Sequence, residues 1–328
     1  MIGMVTPPLL TIVDLKGYYK GWFGVVRAVD GVSLLVDNGE IVGLAGESGC
    51  GKSTLAHLMW GTLPPLLHYE SGKVVVDGFD IYGTDPEVLR TEVKCKRMSL
   101  VPQASMDSLN PVRRISHLIM DVVSERTGRR PSKEEVLKMA GEHFVKLGLD
   151  KHVLNLYSHE LSGGMKQRAV IAISTLWNPK LLVVDEPTSA LDVTSQRRII
   201  RLLLDLRHDE IVKSMLFITH DIPLLRQICD GCAVMYAGKI VETGTTNEII
   251  NDALHPYTRG LISSTIAYSS QAREERLKSI PGTPPDLRDP PPGCRFHPRC
   301  EECMKVCKTR EPPLITKTKR QVSCWLYC

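Results

Sequence analysis

The chain has 328 residues, of which 43% are hydrophobic and 24% are charged, values typical of an ordinary globular protein. Its net charge of +4 is too small to indicate nucleic-acid binding. No uncharged apolar run approaches the roughly 18 residues that a membrane-spanning helix needs. The N-terminus has no basic region ahead of its apolar residues, so no signal peptide is predicted. We therefore expect a cytosolic protein of two or three domains.

The predicted elements indicate an α/β domain that contains an inserted, purely helical segment. The first predicted strands are 9–16, 31–36, Ile41–Ala45, Lys73–Asp77 and Met98–Val101, with helices at 55–60 and 86–97. Apolar residues then recur at helical spacing over about 111–178, where no good strand candidate occurs. Strands and helices alternate again from Lys180 to Glu242, which predicts a mostly parallel, covered sheet. After about residue 255 the chain is rich in proline and is predicted to be rich in loops.

A glycine-rich segment lies between the strand Ile41–Ala45 and the following helix. It matches the phosphate-binding pattern G-x-x-x-x-G-K-[ST], whose backbone N–H groups face phosphate oxygens. Lys52 is expected to reach the outer phosphates, and the Ser53 hydroxyl to bind Mg²⁺. A chance glycine turn is the alternative, which the strand–loop–helix context disfavours. The predicted ATP-binding residues here are Gly46, Glu47, Ser48, Gly49, Cys50, Gly51, Lys52, Ser53 and Thr54.

A second candidate site is the apolar run Leu181–Val184, which ends in Asp185 and Glu186. A buried strand that delivers an aspartate to a phosphate site suits Mg²⁺ binding, and Glu186 is placed to polarise an attacking water. A strand that ends in a solvated acidic turn is the alternative. The phosphate-binding loop elsewhere in the chain favours the catalytic interpretation.

Between these two motifs, Leu161-Ser162-Gly163-Gly164 resembles the signature sequence of ATP-binding cassette (ABC) ATPases. The resemblance implies an α/β fold with a P-loop NTPase (RecA-like) core, an N-terminal antiparallel β subdomain, an inserted α-helical subdomain and a loop-rich C-terminal extension. It also implies an ATPase that dimerises head to tail and holds two ATP molecules with Mg²⁺ between the subunits.

The resemblance implies further roles. Gln103 resembles the glutamine that senses Mg²⁺ and the transmembrane partner, His220 resembles the histidine that contacts the γ-phosphate, and Tyr19 resembles the aromatic residue that stacks on adenine. Three neighbours are alternatives for the adenine contact: Tyr18, Trp22 and Phe23. The implied Mg²⁺ site comprises Ser53, Gln103 and Asp185. The residues implied to contact ATP on the opposite subunit are Ser162, Gly163, Gly164, Met165 and, in the segment Ser189-Ala190-Leu191-Asp192, Asp192.

Two further segments resemble those of oligopeptide and dipeptide importers: Pro102-Gln103-Ala104-Ser105-Met106-Asp107-Ser108-Leu109-Asn110-Pro111 and His255-Pro256-Tyr257-Thr258. The resemblance implies an importer ATPase at the cytoplasmic face of the cell membrane. Its partners would be a second ABC ATPase subunit, two transmembrane permease subunits and, indirectly, an extracytoplasmic solute-binding protein, with no nucleic acid. A soluble ABC-type ATPase that is not coupled to transport is the alternative, and a redox protein with an incidental ATPase core is a more distant one.

Cysteine is concentrated at the C-terminus, where six of the ten cysteines lie between Cys294 and Cys328. In a cytosolic protein this favours metal binding over disulfides. The resemblance implies a [4Fe–4S] cluster on Cys294, Cys300, Cys307 and Cys324. A zinc site is one alternative, and disulfides or free thiols are another. Cys303 or Cys328 is an alternative ligand in place of one of the four. We expect an ATPase domain over 1–250, with a helical subdomain over about 105–178, and an extension over 251–328.

Overall fold

The computed structural model describes residues 7–106, 108–189, 191–266, 280–317 and 320–328. Two positions of the motifs above, Asp107 and Ala190, lie outside the described residues. The chain divides into two units, which we treat one at a time. The first unit comprises Met1–Val75, Asp80–Tyr82 and Leu216–Cys328, and the second comprises Val76–Phe79 and Gly83–Met215.

The strands and helices are numbered in chain order. The strands are β1 (Leu10–Gly21), β2 (Gly24–Val36), β3 (Ile41–Ala45), β4 (Leu67–Val76), β5 (Phe79–Asp80), β6 (Met98–Val101), β7 (Leu181–Asp185), β8 (Ser214–Thr219), β9 (Gly231–Tyr236), β10 (Lys239–Thr245), β11 (Ile315–Lys317) and β12 (Arg320–Val322). The α-helices are α1 (Lys52–Trp60), α2 (Pro86–Val88), α3 (Ile115–Thr127), α4 (Lys133–Lys146), α5 (Gly163–Thr175), α6 (Val193–His208), α7 (Ile222–Ile228), α8 (Thr246–Asn251) and α9 (Pro256–Ile266). Shorter turns are a π-helix at Leu89–Val93 and 3₁₀-helices at Lys151–Asn155, Ser158–Glu160, His297–Arg299, Lys305–Lys308 and Trp325–Tyr327.

The first unit begins with an antiparallel sheet in which β1 lies between β2 and β4. Leu10, Ile12 and Leu15 of β1 are buried, because apolar residues on one face of a strand pack on the core. The expected N-terminal antiparallel subdomain is therefore confirmed.

A second sheet of the first unit carries the glycine-rich loop. Its strand β3 pairs in parallel with β9, and β9 pairs antiparallel with β10. All five residues of β3 are buried, as expected for a strand that is covered on both faces. The C-terminal extension contributes to this sheet, because β12 pairs with β10 and β11 pairs with β12. The sequence did not predict these two short strands.

In the second unit, β6 and β7 form a parallel pair with Met98 opposite Leu181 and Val101 opposite Val184. The segment between them contains α3, α4 and α5, and among its described residues the only β pairing is an isolated bridge from Arg114 to Tyr157. The expected helical insertion is therefore confirmed. Ser132 begins α4 with a capping box to Glu135.

The helix predicted over 86–97 is wrong in its last four residues. The helical turns end at Val93, and Cys95 takes a left-handed backbone angle of φ 65°, which interrupts a helix. Within the described ranges, no helix has the length and apolar character needed to cross a membrane.

Candidate functional site

The glycine-rich loop joins the buried strand β3 to α1 in the first unit. Gly51 precedes α1 with φ 109°, and a Cβ atom there would lie 2.0 Å from the Ala28 carbonyl oxygen. At Gly46, a Cβ atom would lie 2.2 Å from the Met235 carbonyl oxygen. Only glycine fits either position, so the loop is held tightly against its neighbours while Ser48 and Gly49 are exposed at its tip.

Lys52 is the buried cation of this loop, with only 5% of its surface exposed. Its Nζ donates hydrogen bonds to the carbonyl oxygens of Gly46 at 2.8 Å and Glu47 at 2.9 Å. Cys50 lies beside it, with Sγ 3.8 Å from Nζ, and burial raises the pKa of the Cys50 thiol. The lysine ammonium is therefore fixed inside the loop, next to the backbone N–H groups at the start of α1.

Among the aromatic residues near the N-terminus, Tyr19 lies beside the loop. Its hydroxyl is 3.4 Å from Oγ1 of Thr54 in the first turn of α1. Tyr18 instead donates a hydrogen bond to Asp30 at 2.6 Å, and Trp22 is 97% exposed with Phe23 packed against it edge to face. Of the four candidates for the adenine contact, Tyr19 is the one whose hydroxyl contacts α1.

The acidic motif lies in the second unit, where the fully buried strand β7 ends at Asp185. Glu186 follows with φ 48°, a left-handed angle that costs a non-glycine residue on the order of 1–3 kcal/mol. Gln103 Nε2 donates to Glu186 Oε2 at 3.4 Å, although the residues are 83 positions apart. They meet because β6 and β7 are parallel neighbours, so the residues that follow them lie at one edge of the sheet.

The Ser162-Gly163-Gly164 segment begins a helix, as predicted. Ser162 is the N-cap of α5 and accepts a hydrogen bond from the Met165 N–H at 3.4 Å. Asp192 is the N-cap of α6 and accepts hydrogen bonds from the Ser195 N–H at 2.9 Å and hydroxyl at 2.6 Å. The two helix starts share an open pocket of about 230 Å³, lined by Ser162, Gly163, Gly164, Arg168, Leu191, Asp192, Ser195, Arg198 and Ile199.

This pocket has a net positive charge, because Arg168 and Arg198 outnumber Asp192 in its lining. Burial, followed by the charge of Arg198, lowers the pKa of Arg168. The N-terminus of α5 adds a partial positive charge. The arrangement is therefore suited to an anion.

No neighbour within the described chain sterically requires glycine at the two positions that begin α5. A Cβ atom at Gly163 would approach no neighbour closer than 3.7 Å, and one at Gly164 none closer than 3.5 Å. These are ordinary contacts, whereas glycine in a helix costs about 1 kcal/mol relative to alanine. Their bare backbone therefore suits close approach by a ligand.

The remaining predicted residues divide between the units. His220 is exposed between β8 and α7 in the first unit, which also carries Ser53 in the first turn of α1. Gln103, Asp185 and Glu186 belong to the second unit. Each unit, taken by itself, therefore contains a group of the predicted nucleotide-site residues.

The C-terminal cysteines lie in short turns, and none of the described cysteines forms a disulfide. The Cys294 N–H donates to the Cys307 carbonyl oxygen at 2.8 Å. Burial raises the pKa of Cys294 to about 12, with further contributions from Cys307, Cys324 and Cys300. In the described part of the chain, no group of three or more metal-ligating side chains is close enough to hold a metal ion.

One contact at the glycine-rich loop has no signal in the sequence. Arg299, from the C-terminal extension, binds the carboxylate of Glu47 with both of its terminal nitrogens, although 252 positions separate the two residues. No local pattern indicates a pair at that separation.

Together, the phosphate-binding loop between strand and helix, the strand that ends in two carboxylates and the serine-capped glycine pair define a P-loop ATPase of the ATP-binding cassette class. Two family profiles match the sequence: ABC transporter over residues 29–189, and oligopeptide/dipeptide transporter, C-terminal region, over residues 241–307.

Relatives match along nearly the whole chain. The dipeptide transport ATP-binding protein DppD of Caldanaerobacter subterraneus subsp. tengcongensis is 42% identical over 97% of both chains. The oligopeptide transport ATP-binding protein OppD of Bacillus subtilis is 40% identical over 97% of this chain and 88% of its own. The dimeric ATP-binding cassette MJ0796 in a post-hydrolysis state with ADP and Pi has a TM-score of 0.62 at 25% identity, over 72% of this chain and 98% of its own. The chain belongs to the family of ATP-binding subunits of oligopeptide and dipeptide ABC transporters, and it is an ATPase.

Proposed function

We propose that this chain drives an importer for oligopeptides, dipeptides or related solutes from the cytoplasmic face of the cell membrane. Its partners are a second ATPase subunit and two transmembrane permease subunits, supplied with solute by an extracytoplasmic binding protein. The glycine pair at the start of α5 carries the proposal, because no described neighbour requires Gly163 or Gly164 to lack a side chain. A motor whose ATP site is completed by another subunit needs such a bare helix N-terminus.

The residues have the following proposed roles in the chain's own half of the site. Lys52 and the N–H groups of the loop bind the phosphates, and Tyr19 stacks on adenine. Glu186 orients the attacking water and accepts its proton, while His220 contacts the γ-phosphate.

Mg²⁺ would be held by Ser53, Gln103 and Asp185. The donor set suits this cation, because all three side chains offer oxygen and Asp185 is only 3% exposed at the end of a buried strand. The cation would neutralise charge on the phosphates.

The opposite half of the site is formed by the pocket at α5 and α6. Ser162, Gly163, Gly164 and Met165 would face the γ-phosphate of ATP bound to the partner, with Asp192 at the rim. Arg168 and Arg198 make this pocket suitable for a polyanion. ATP binding therefore draws two subunits together, and hydrolysis releases them.

Glu186→Gln tests the catalytic assignment. The amide keeps the size of the side chain but cannot accept a proton, so turnover is expected to fall by at least ~100-fold while ATP affinity is retained. Glu210→Gln is the matched control, because Glu210 also has a left-handed angle, φ 56°, but lies in the turn after α6. Wild-type turnover in Glu186→Gln contradicts the assignment.

Transport coupling is tested by purifying the tagged chain from detergent-solubilised membranes. We expect permease subunits and a second ATPase to co-purify in fixed ratio. Recovery with ribosomes or DNA, or without any membrane protein, supports the soluble-ATPase alternative instead.

We further propose that residues 1–250 form the ATPase domain, with a helical subdomain over about 105–178, and that 251–328 form an extension with a [4Fe–4S] cluster. Cys294, Cys300, Cys307 and Cys324 would hold the cluster. The chemical type of the ligands supports this, because four thiols that are not in disulfides are what such a cluster binds, although the described side chains do not form a metal-binding group as they stand. A bound cluster would cross-link the irregular backbone of the extension.

The cluster is tested by iron and sulfide analysis together with the absorbance near roughly 400 nm. Cys294→Ser and Cys300→Ser are expected to lose both, and Cys95→Ser, outside the extension, to keep them. A colourless protein that contains zinc contradicts the cluster. Loss of iron in Cys303→Ser or Cys328→Ser would reassign a ligand.

A further inference from the structure

The C-terminal extension contacts the phosphate-binding loop through one buried arginine. Arg299, 6% exposed, donates from Nη1 to Glu47 Oε2 at 2.7 Å and from Nη2 to Glu47 Oε1 at 2.9 Å. This is the bidentate geometry, in which an arginine binds a carboxylate most strongly. Both residues belong to the first unit.

Arg299 is itself fixed by its surroundings. Its Nε donates to the Pro281 carbonyl oxygen at 2.8 Å, and its guanidinium lies 5.8 Å from the ring centre of Tyr236. Glu47 is held at its backbone as well, because its N–H donates to the Tyr257 hydroxyl at 2.9 Å. Tyr236 and Tyr257 are buried with ring centres 4.5 Å apart. Glu47 is therefore fixed by contacts to both its side chain and its backbone.

The orientation of Glu47 affects the atoms that meet the nucleotide. The Glu47 carbonyl oxygen accepts the hydrogen bond from Lys52 Nζ, so the position of this residue sets the position of the lysine. Its carboxylate also places a negative charge in a loop that binds phosphates, where like charges repel. The guanidinium of Arg299 neutralises that charge from a buried position, since the Arg299 side chain is 5% exposed and the Glu47 side chain 23%.

We propose that Arg299 is a positioning residue for ATP binding: acting through Glu47, it holds the phosphate-binding loop in its binding conformation and cancels the loop's one carboxylate. This role rests on the ATPase activity of the family and is independent of which solute is transported. It also makes the extension part of the machinery that binds ATP.

The test is the ATP affinity of Arg299→Met, measured as Kd by nucleotide titration and as KM in the ATPase assay. Two charge-assisted hydrogen bonds are lost and a carboxylate is left beside the phosphates, so we expect both constants to rise by about tenfold or more. The kcat at saturating ATP should change by less than about twofold, because the catalytic carboxylate is elsewhere. Arg288→Met is the matched control, since Arg288 is in the same extension but pairs with exposed Asp286.

A double-mutant cycle with Glu47→Gln separates positioning from general destabilisation. In the Glu47→Gln background, Arg299→Met should raise the ATP Kd by less than about twofold, because the pair is already broken. An equal rise in both backgrounds, or an unchanged Kd in the single variant, overturns the proposal. Iron content and the unfolding temperature are recorded for every variant.

Arg299→Lys keeps the experiment decisive if Arg299→Met does not fold. Lysine retains the charge but cannot form both hydrogen bonds at once, so the ATP Kd should rise by about threefold. A wild-type Kd in Arg299→Lys together with a wild-type Kd in Glu47→Gln would refute the role. Loss of transport with normal ATP affinity would count against the importer assignment and leave this proposal intact.

Discussion

Replacing Gly164 by alanine separates the stability of this chain from its proposed function in a partner's site. The added Cβ atom would lie 3.5 Å from Ser195 Oγ and 3.9 Å from Ser195 Cβ, which are ordinary contacts. Gly164 has no left-handed backbone angle and lies in the first turn of α5. The substitution should therefore cost nothing within the chain and stabilise it by up to about 1 kcal/mol through helix propensity. For a chain of 328 residues, that corresponds to a rise of up to about 1.5 °C in unfolding temperature.

The same methyl group would obstruct the approach of a γ-phosphate to the helix N-terminus. ATPase activity of the assembled complex is expected to fall at least about twofold, the floor set by losing one of two composite sites, and about tenfold or more if both sites use this chain. Gly141→Ala is the control, because Gly141 is also helical and its Cβ would lie 3.5 Å from the flexible Lys151 side chain. A Gly164→Ala complex with wild-type ATPase activity refutes the reasoning.

Two further predictions follow from buried titratable groups. Burial lowers the pKa of His255 to about 3, so the folded state stays neutral while the unfolded histidine, with a pKa of about 6.5, takes up a proton. The contribution of His255 to the free energy of unfolding is therefore full above pH 6.5, and about 2 kcal/mol of it should be lost between pH 6.5 and 5. Thermal unfolding curves recorded across that range should show this loss in the wild type and not in His255→Asn. Burial also raises the pKa of the Cys50 thiol, so Cys50 should be alkylated more slowly at neutral pH than the exposed Cys328. A time course followed by mass spectrometry measures both rates, and equal rates would contradict the buried position of Cys50.

Much of the fold could be predicted because its signals are local. The bounds of β3 and β6 agree with the predicted strands, since each is a short apolar run that ends at a turn. The helical insertion was recognisable from its periodicity. The end of the helical turns at Val93 could not be recognised, because nothing in the composition of the following residues shows that Cys95 has a left-handed backbone angle.

The parts of the site that escaped prediction depend on distant contacts. The pairing of Arg299 with Glu47 joins residues 252 positions apart, and β11 and β12 are only three residues each, too short for an alternating pattern. Tyr18 and Tyr19 looked equivalent in the sequence, yet adjacent residues of a strand point to opposite faces. The hydroxyl of Tyr19 therefore contacts Thr54, whereas that of Tyr18 contacts Asp30.

The central claim is that ATP hydrolysis by this chain drives solute import. The most direct test measures ATPase activity and peptide uptake together in proteoliposomes that contain the chain, its partner ATPase, both permease subunits and the solute-binding protein. We predict that peptide-loaded binding protein stimulates hydrolysis, that uptake requires ATP, and that Glu186→Gln abolishes uptake. Hydrolysis at the same rate with and without peptide, or uptake that persists in Glu186→Gln, would contradict the claim.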